Sequence, residues 1–287
     1  MKKLCYTLIL GLVLTSCASR TEGWFKTSDR IKLSKKEFSA LDKKAEALWL
    51  KRDDKASLEQ ALETYKKLSL ATQDNFDYLV RLTRGYYFLA DAHYDEVDLK
   101  KKYWEIGTSY GEKAMATNKN FAKAMKDGEK IEDHLDKLGK REVPAMYWTA
   151  SNLGKWAKNS GIATTLKYKN RIRTLVETVK KLDPNYFYGA AYRYFGAYYA
   201  VAPGFAGGDM NKSKKSFAQA IKIAPEYLGT YVLYADLYAV KEGDKDLFKS
   251  QLNKVLKAKL GPKALHPENR VEKKKAEKLL SQMNDKF

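Results

Sequence analysis

Apolar residues recur at helical spacing along almost the whole chain. Leu79, Leu82, Tyr86, Leu89 and His93 are an example, because steps of three and four residues place them on one face of a helix. Proline and glycine fall between such stretches, and no run alternates as a half-buried strand would. The pattern predicts an all-α fold with helices near residues 35–51, 55–71, 75–94, 98–117, 120–138, 144–159, 165–182, 186–201, 210–224, 227–241, 244–258 and 268–284.

A repeat accompanies this periodicity. An aromatic, large, small, aromatic pattern occurs twice, 39 positions apart, as Tyr192, Phe195, Gly196 and Tyr199 and then as Tyr231, Tyr234, Ala235 and Tyr238. This spacing resembles the first helix of a tetratricopeptide repeat, whose period is ~34 residues, so about five residues are inserted near 202–208. A helix pair cannot bury its apolar face alone, and such units therefore stack. We predict that residues 35–284 form one domain, a right-handed superhelix of stacked helix hairpins.

The first residues resemble a bacterial lipoprotein signal. Lys2 and Lys3 precede a short apolar run at 6–14, and Leu14-Thr15-Ser16-Cys17 matches the lipobox in which the cysteine is lipidated. Nine helical residues at ~1.5 Å each are too short to span ~30 Å of hydrocarbon. We predict a signal peptide at 1–16, lipidation at Cys17 and a tether at 17–34; the alternative is an ordinary signal peptide with a chance cysteine. Ala18, in place of aspartate after the cysteine, resembles the pattern of outer-membrane sorting.

Composition narrows the possible functions. Cys5 and Cys17 are the two cysteines, so the body of the chain has no disulfide framework, no cysteine-ligated zinc site and no thiol nucleophile. The net charge of +19 falls to +17 when Lys2 and Lys3 leave with the signal. Export makes nucleic acid an unexpected partner, and the charge would attract anionic lipid, an acidic protein or an anionic ligand, or else reflect a lysine-rich solvated surface.

Catalytic signatures are missing from the sequence. It contains no HExxH, GxxxxGK[ST], GxGxxG or GxSxG motif, and its three histidines are far apart. We therefore predict a protein that is not an enzyme and that uses no metal or cofactor.

Two segments stand out. The first is the helix that begins at Pro144. Around the axis of this helix, successive members of the set Trp148, Asn152 and Trp156 are 40° apart, and Lys155 lies 20° to the other side of Trp148. This stripe fits a core helix whose lysine extends to solvent, and it equally fits the wall of a ligand cavity in which Lys155 meets a carboxylate. The predicted ligand or pore residues are Tyr147, Trp148, Asn152, Lys155, Trp156, Tyr192 and Arg193.

The second segment is the glycine-rich loop before the helix at 210–224. Asp209 is suited to cap that helix, and the glycines permit a tight turn. The segment is a connection between repeat helices, and its extra length suggests that it also lines an opening or contacts a partner. The residues predicted for this role are Pro203, Gly204, Phe205, Gly207, Gly208 and Asp209.

Together, these segments resemble the T-component (TatT) family of tripartite ATP-independent periplasmic (TRAP) transporters. That family combines a lipobox, an Ala-x-x-Trp-x-Ala-x-x-Leu-Gly-x-Trp stretch, matched at 145–156, and a Leu-Pro-Gly-x-x-Gly-Gly-Asp loop, matched at 202–209 with Ala202 for leucine. The resemblance implies a homotrimeric lipoprotein with a pore or cleft in each protomer. It also implies that the partner is the periplasmic solute-binding protein, which delivers an organic acid to a permease.

Three functions remain open from the sequence. The first is the transport accessory that the resemblance implies. The second is a tetratricopeptide-like envelope scaffold that binds a peptide or protein along a concave face. The third is an enzyme acting on cell-wall or lipid material, which the missing motifs disfavour.

Overall fold

The computed structural model describes residues 20–23, 29–73, 75–126 and 128–287. These residues contain helices and no β-strand, which confirms the predicted all-α class. The α-helices are α1 (Lys35–Trp49), α2 (Lys55–Ala71), α3 (Phe76–His93), α4 (Val97–Met115), α5 (Lys119–Met125), α6 (Val143–Asn159), α7 (Ile162–Leu182), α8 (Tyr186–Val201), α9 (Met210–Ile223), α10 (Gly229–Leu233), α11 (Val240–Glu242), α12 (Lys245–Lys257), α13 (His266–Ser281) and α14 (Met283–Lys286).

Local signals explain several helix boundaries. A capping box between Ser34 and Glu37 begins α1, and Asp209 and Asp244 accept backbone N–H groups at the starts of α9 and α12. The predicted helix at 120–138 is wrong beyond Met125. Gly128 has a φ of 77°, which ends the helix, and the chain continues in the 3₁₀ turns Ile131–Asp133, Leu135–Lys137 and Lys140–Glu142. The predicted helix at 227–241 is present as α10 and α11, joined by a π-helical turn at Tyr234–Ala239.

The first eight helices form an antiparallel stack around one apolar core. This core reaches from Ala45 and Tyr65 to Val176 and Phe195 and is buried throughout. Where α4 crosses α6, a Cβ on Gly111 would lie 1.9 Å from Thr149 Oγ1, so glycine permits this close approach of the two helices. The right-handed sense of the superhelix stays a prediction.

The C-terminal helices are joined differently. α9 to α13 enclose smaller apolar clusters around Phe217, Leu252 and Leu265. α13 then lies alongside α3 and makes ion pairs with residues of α3, the α1–α2 corner and the α3–α4 corner. These pairs are Glu268 with Arg52 and Arg84, Arg270 with Asp53, Lys275 with Asp91, and Lys278 with Asp95. The C-terminal part of the chain thereby contacts α3 and the two corners beside it.

The predicted signal peptide and Cys17 lie outside the described residues. Just after them, the guanidinium of Arg20 contacts the Glu112 carboxylate and donates to Ser109 Oγ over 3.0 Å. In the part of the chain that the structure describes, no helix is long and apolar enough to cross a bilayer.

Candidate ligand cleft

A cleft of ≈ 750 Å³ opens where α3 faces the start of α8 and the end of α9. Its size is within the range of small-molecule sites. The lining residues combine one arginine, one asparagine, three consecutive aromatic residues and, at and just beyond the end of α9, two apolar residues and one glutamate. They are Arg84, Asn185, Tyr186, Phe187, Tyr188, Ile223, Ala224 and Glu226.

A left-handed turn shapes the aromatic side of the cleft. Phe187, Tyr188 and Gly189 have φ values of 41°, 60° and 69°, a region that costs side-chain-bearing residues free energy of order 1–3 kcal/mol each. Arg193 holds the turn by donating to the carbonyl oxygens of Tyr188 over 2.9 Å and Phe187 over 3.2 Å. Strain of this kind persists where the surroundings fix the backbone, and here it presents two aromatic rings to the cleft.

The cleft has a positively charged group at its base. Arg84 donates from Nη2 to Glu268 Oε1 over 2.6 Å, and its Nε is buried without a hydrogen-bond partner among the described residues. Arg52, only 1% accessible, donates from Nε to the same carboxylate oxygen over 2.9 Å. Burial acts to raise the pKa of Glu268, but the two guanidiniums outweigh it and hold that pKa below its ordinary value. Two guanidiniums share the Glu268 carboxylate, and the wall of the cleft carries one further carboxylate, that of Glu226.

Aromatic rings surround this charge. The Arg84 guanidinium lies 4.6 Å from the Phe187 ring centroid and 5.5 Å from that of Trp148, within cation–π range. Trp148 donates from Nε1 to the Tyr186 hydroxyl over 3.0 Å, and Tyr188 stacks on Tyr227 at 5.5 Å. Aromatic rings beside one oriented cation are suited to an organic anion with a hydrophobic body.

A second polar cluster lies between α3, α6 and α13. Asp91 accepts from Lys155 Nζ over 2.9 Å and from Lys275 Nζ over 2.5 Å. Burial alone would raise the pKa of Asp91, but the two ammonium groups hold it well below its ordinary value. The Asp91 side chain is partly buried, and 18% of its surface is accessible, so it faces a water-sized space.

Only some of the residues predicted to line a ligand site or pore lie at the cleft. Tyr147, Trp148 and Arg193 lie beside the cleft. Asn152 is fully buried and donates to the carbonyl oxygens of Thr83 and Trp148, and Trp156 packs on Tyr168, so both lie in helix interfaces. Lys155 meets a carboxylate, but that carboxylate belongs to Asp91. Tyr192 lies under the ammonium of Lys180, at 4.9 Å. Ligand contact at these positions stays a prediction.

The glycine-rich loop lies at the other end of α8, about 20 Å from the cleft by helix length. Gly207 has a φ of 98°, and a Cβ on Gly208 would lie 1.8 Å from the Ala202 carbonyl oxygen, so both positions require glycine. Asp209 Oδ1 accepts from Lys212 N over 2.9 Å and caps α9 as predicted. Pro203 and Gly204 are exposed, and Phe205 is 93% accessible.

Other exposed apolar side chains lie at the same end. Because successive helices of the stack are antiparallel, the α1–α2, α3–α4, α6–α7 and α8–α9 connections share one end, here named the corner end. Lys169 of α7 donates to the Ala206 carbonyl oxygen over 2.8 Å, which brings the last two connections together. The large apolar residues exposed at the corner end are Leu50, Val97, Leu99, Ile162, Leu166, Val201 and Phe205.

Sequence reasoning missed the residues that define the cleft. Arg84 lies on α3 beside the apolar stripe, and no pattern pairs it with Glu268, 184 positions away. The aromatic run Tyr186-Phe187-Tyr188 before Gly189 was a visible signal, because glycine marks positions of unusual backbone conformation.

Comparison with known proteins identifies the family. Among the described residues, no group of three or more histidine, cysteine, aspartate or glutamate residues could hold a metal ion. The comparison with curated proteins finds no match. The family model for the TRAP transporter T-component matches residues 55–287, which include every residue that lines the cleft. The chain therefore belongs to the TRAP transporter T-component family.

Proposed function

We propose that this T-component is a lipid-anchored periplasmic accessory subunit. In this proposal it binds the periplasmic solute-binding protein of its TRAP system and passes a hydrophobic organic acid through its interior. The observation that carries the proposal is the cleft in which Arg84 lies among the rings of Trp49, Trp148 and Phe187.

The chemistry of the cleft selects the ligand class. Arg84 has donors left over after its contact with Glu268, and a carboxylate matches the planar fork of a guanidinium. The surrounding rings favour an apolar ligand body. We propose that the path continues past Asp91 and Lys275, further along α3, where both side chains are partly accessible.

The corner end supports protein binding. Phe205 and Ile162 are 93% and 81% accessible, and exposed apolar groups concentrated on one surface mark interaction sites. The predicted partner role of the Pro203–Asp209 loop therefore belongs to this surface, where the solute-binding protein would dock.

Anchoring and assembly complete the proposal. Cys17 precedes Arg20 by three residues, or at most ~11 Å of extended chain, and Arg20 is held against α4 by Glu112 and Ser109. A lipid on Cys17 would thus keep α4 close to the membrane. We propose that this membrane is the outer membrane. We also propose that the subunit is a homotrimer, as the family resemblance implies.

A matched ligand pair tests the cleft. Dodecanoate and dodecanol share an apolar chain and differ in the carboxylate, and their binding to the mature chain is followed by tryptophan fluorescence. We expect dodecanoate to bind at least tenfold tighter than dodecanol, and Arg84→Met to abolish that preference. Arg81→Met, on the same helix but paired with Glu46, is the control and should retain it.

Two results would contradict the proposal. Equal affinity for the acid and the alcohol in the wild-type protein would remove the organic-acid assignment. Failure of the mature protein to retain any solute-binding protein from its own periplasm would favour the alternative, a scaffold for another envelope protein.

A further inference from the structure

A groove of ≈ 510 Å³ lies between α7 and α9, along one face of α8. It shares no lining residue with the ligand cleft. Its walls carry four lysines and its floor carries two aromatic rings. The lining residues are Glu177, Lys180, Lys181, Phe195, Tyr199, Lys212, Lys215 and Ser216.

The charge of this groove is largely uncompensated. Within the described residues, Lys180, Lys181 and Lys215 have no ion-pair partner, and Lys212 reaches Asp209 at 3.3 Å. The groove's one carboxylate, on Glu177, accepts from Arg173 Nε over 2.8 Å. Like charges held together repel one another, so a ligand with negative charge would stabilise the arrangement.

The floor of the groove is aromatic. The Phe195 and Tyr199 rings stack at 5.9 Å, and the Lys180 ammonium lies 5.6 Å from the Phe195 centroid, where the ring face helps to hold it. Beyond Tyr199, the same helix leads to the exposed Val201 and to Phe205 at the corner end. Within the groove, positive groups and aromatic rings therefore lie side by side.

We propose that this groove binds an acidic segment of a protein partner. Carboxylates of the segment would pair with the lysines of α7 and α9, and an apolar side chain between them would pack on Phe195 and Tyr199. Positive charges spread over two helices match a row of carboxylates better than they match one small anion. A flat bilayer surface cannot enter a groove between helices. The proposal makes no assumption about which protein supplies the segment, and is independent of the ligand cleft.

Labelled model peptides test this inference on the mature chain. The first has six acidic residues around a central phenylalanine, the second has alanine at the centre, and the third has the acids replaced by their amides. Fluorescence anisotropy should show that the first peptide binds at least threefold tighter than the second, and that the third does not bind. The double variant Lys180→Glu/Lys215→Glu should lose at least tenfold in affinity.

The control has the same change in net charge at a different place. Lys249→Glu/Lys257→Glu alters two exposed lysines of α12 and should bind the first peptide within threefold of the wild-type protein. Equal losses in both double variants would overturn the proposal, because the attraction would then come from the overall charge. It would also be overturned by equal affinity for the phenylalanine and alanine peptides, by no peptide binding, or by vesicles of phosphatidylglycerol binding through these lysines in place of the peptide. Circular dichroism melts check that each variant folds.

Discussion

The helices of the α1–α8 stack are held together by apolar contacts, whereas α13 is held against α3 by ion pairs. We call this second contact the join. In the stack, helices meet through one apolar core, and glycines at crossings such as that of α4 with α6 allow contact between backbones. At the join, contact depends on ion pairs around Glu268 and Asp91, and water-sized space remains beside Asp91.

The difference between the two regions explains where a ligand can bind. Close packing resists insertion of a ligand, because protein interiors have few voids larger than a water molecule. Ion pairs hold two surfaces at a defined distance and leave cations with spare hydrogen-bond donors beside open space. The ligand cleft accordingly lies where α3 and α8 of the stack border the join, next to the Arg84–Glu268 ion pair.

Removing the shared carboxylate of the join should have the largest effect. Glu268→Ala leaves Arg52 and Arg84 buried without their anion, which should cost about 3–5 kcal/mol of the free energy of unfolding. Urea denaturation monitored by circular dichroism measures this loss. Glu277→Ala, at an exposed position of the same helix, is the control and should change stability by less than about 0.5 kcal/mol. A loss below ~1 kcal/mol for Glu268→Ala would mean that apolar contacts, not ions, hold α13.

A pair of glycine substitutions tests the stack. A Cβ at position 111 would clash with Thr149 Oγ1, so Gly111→Ala should cost about 1–3 kcal/mol. At Gly154 the nearest atom, Ile172 Cγ2, would lie at an ordinary 3.8 Å, so Gly154→Ala should gain up to ~1 kcal/mol from helix propensity. Denaturation midpoints of the two variants show whether each substitution lowers or raises the stability of the protein. Equal effects would indicate that α4 and α6 are less tightly packed than their contacts imply.

The stack could be predicted from the sequence because its interactions are periodic and local. Apolar residues spaced three and four apart indicate helices, and a small residue such as Gly196, where a Cβ would lie 2.8 Å from the Phe217 ring, indicates a close crossing. The helix predicted over 120–138 failed because a single residue, Gly128, outweighs the apolar spacing that follows it.

The candidate site could be predicted only in part. Trp148 was found because its motif is contiguous, whereas Arg84 and Glu268 meet only through the tertiary fold. A helical stripe gives the direction of each side chain but not what lies opposite. For this reason Trp148 faces the cleft, while Asn152 from the same stripe packs against Gly107 of α4.

A smaller effect, the dependence of stability on pH, should distinguish the join from the stack, because Asp91 belongs to the ion pairs of the join. Its pKa is lowered in the folded protein, so its contribution to stability is complete above about pH 4 and is lost as the pH falls below that value. The raised pKa of Lys275 acts in the opposite range: its contribution is complete below about pH 10 and is lost only at higher pH. Between these limits the cluster's contribution is constant.

Asp91→Asn should therefore cost about 1–2 kcal/mol at pH 7, less than the loss of Glu268, because solvent partly screens Lys155 and Lys275. The gap between wild type and variant should shrink as the pH falls below about 4, since the Asp91 carboxylate then takes up a proton in the unfolded chain before it does so in the folded protein, which lowers the free energy of unfolding. Urea denaturation at pH 7, 5 and 3.5 follows this gap. Asp95→Asn, which removes the exposed ion pair with Lys278, should show almost no gap at any of these values. If the gap at Asp91 instead stayed constant across this range, the carboxylate would be acting as a hydrogen-bond acceptor alone, and the join would owe less to charge than its geometry implies.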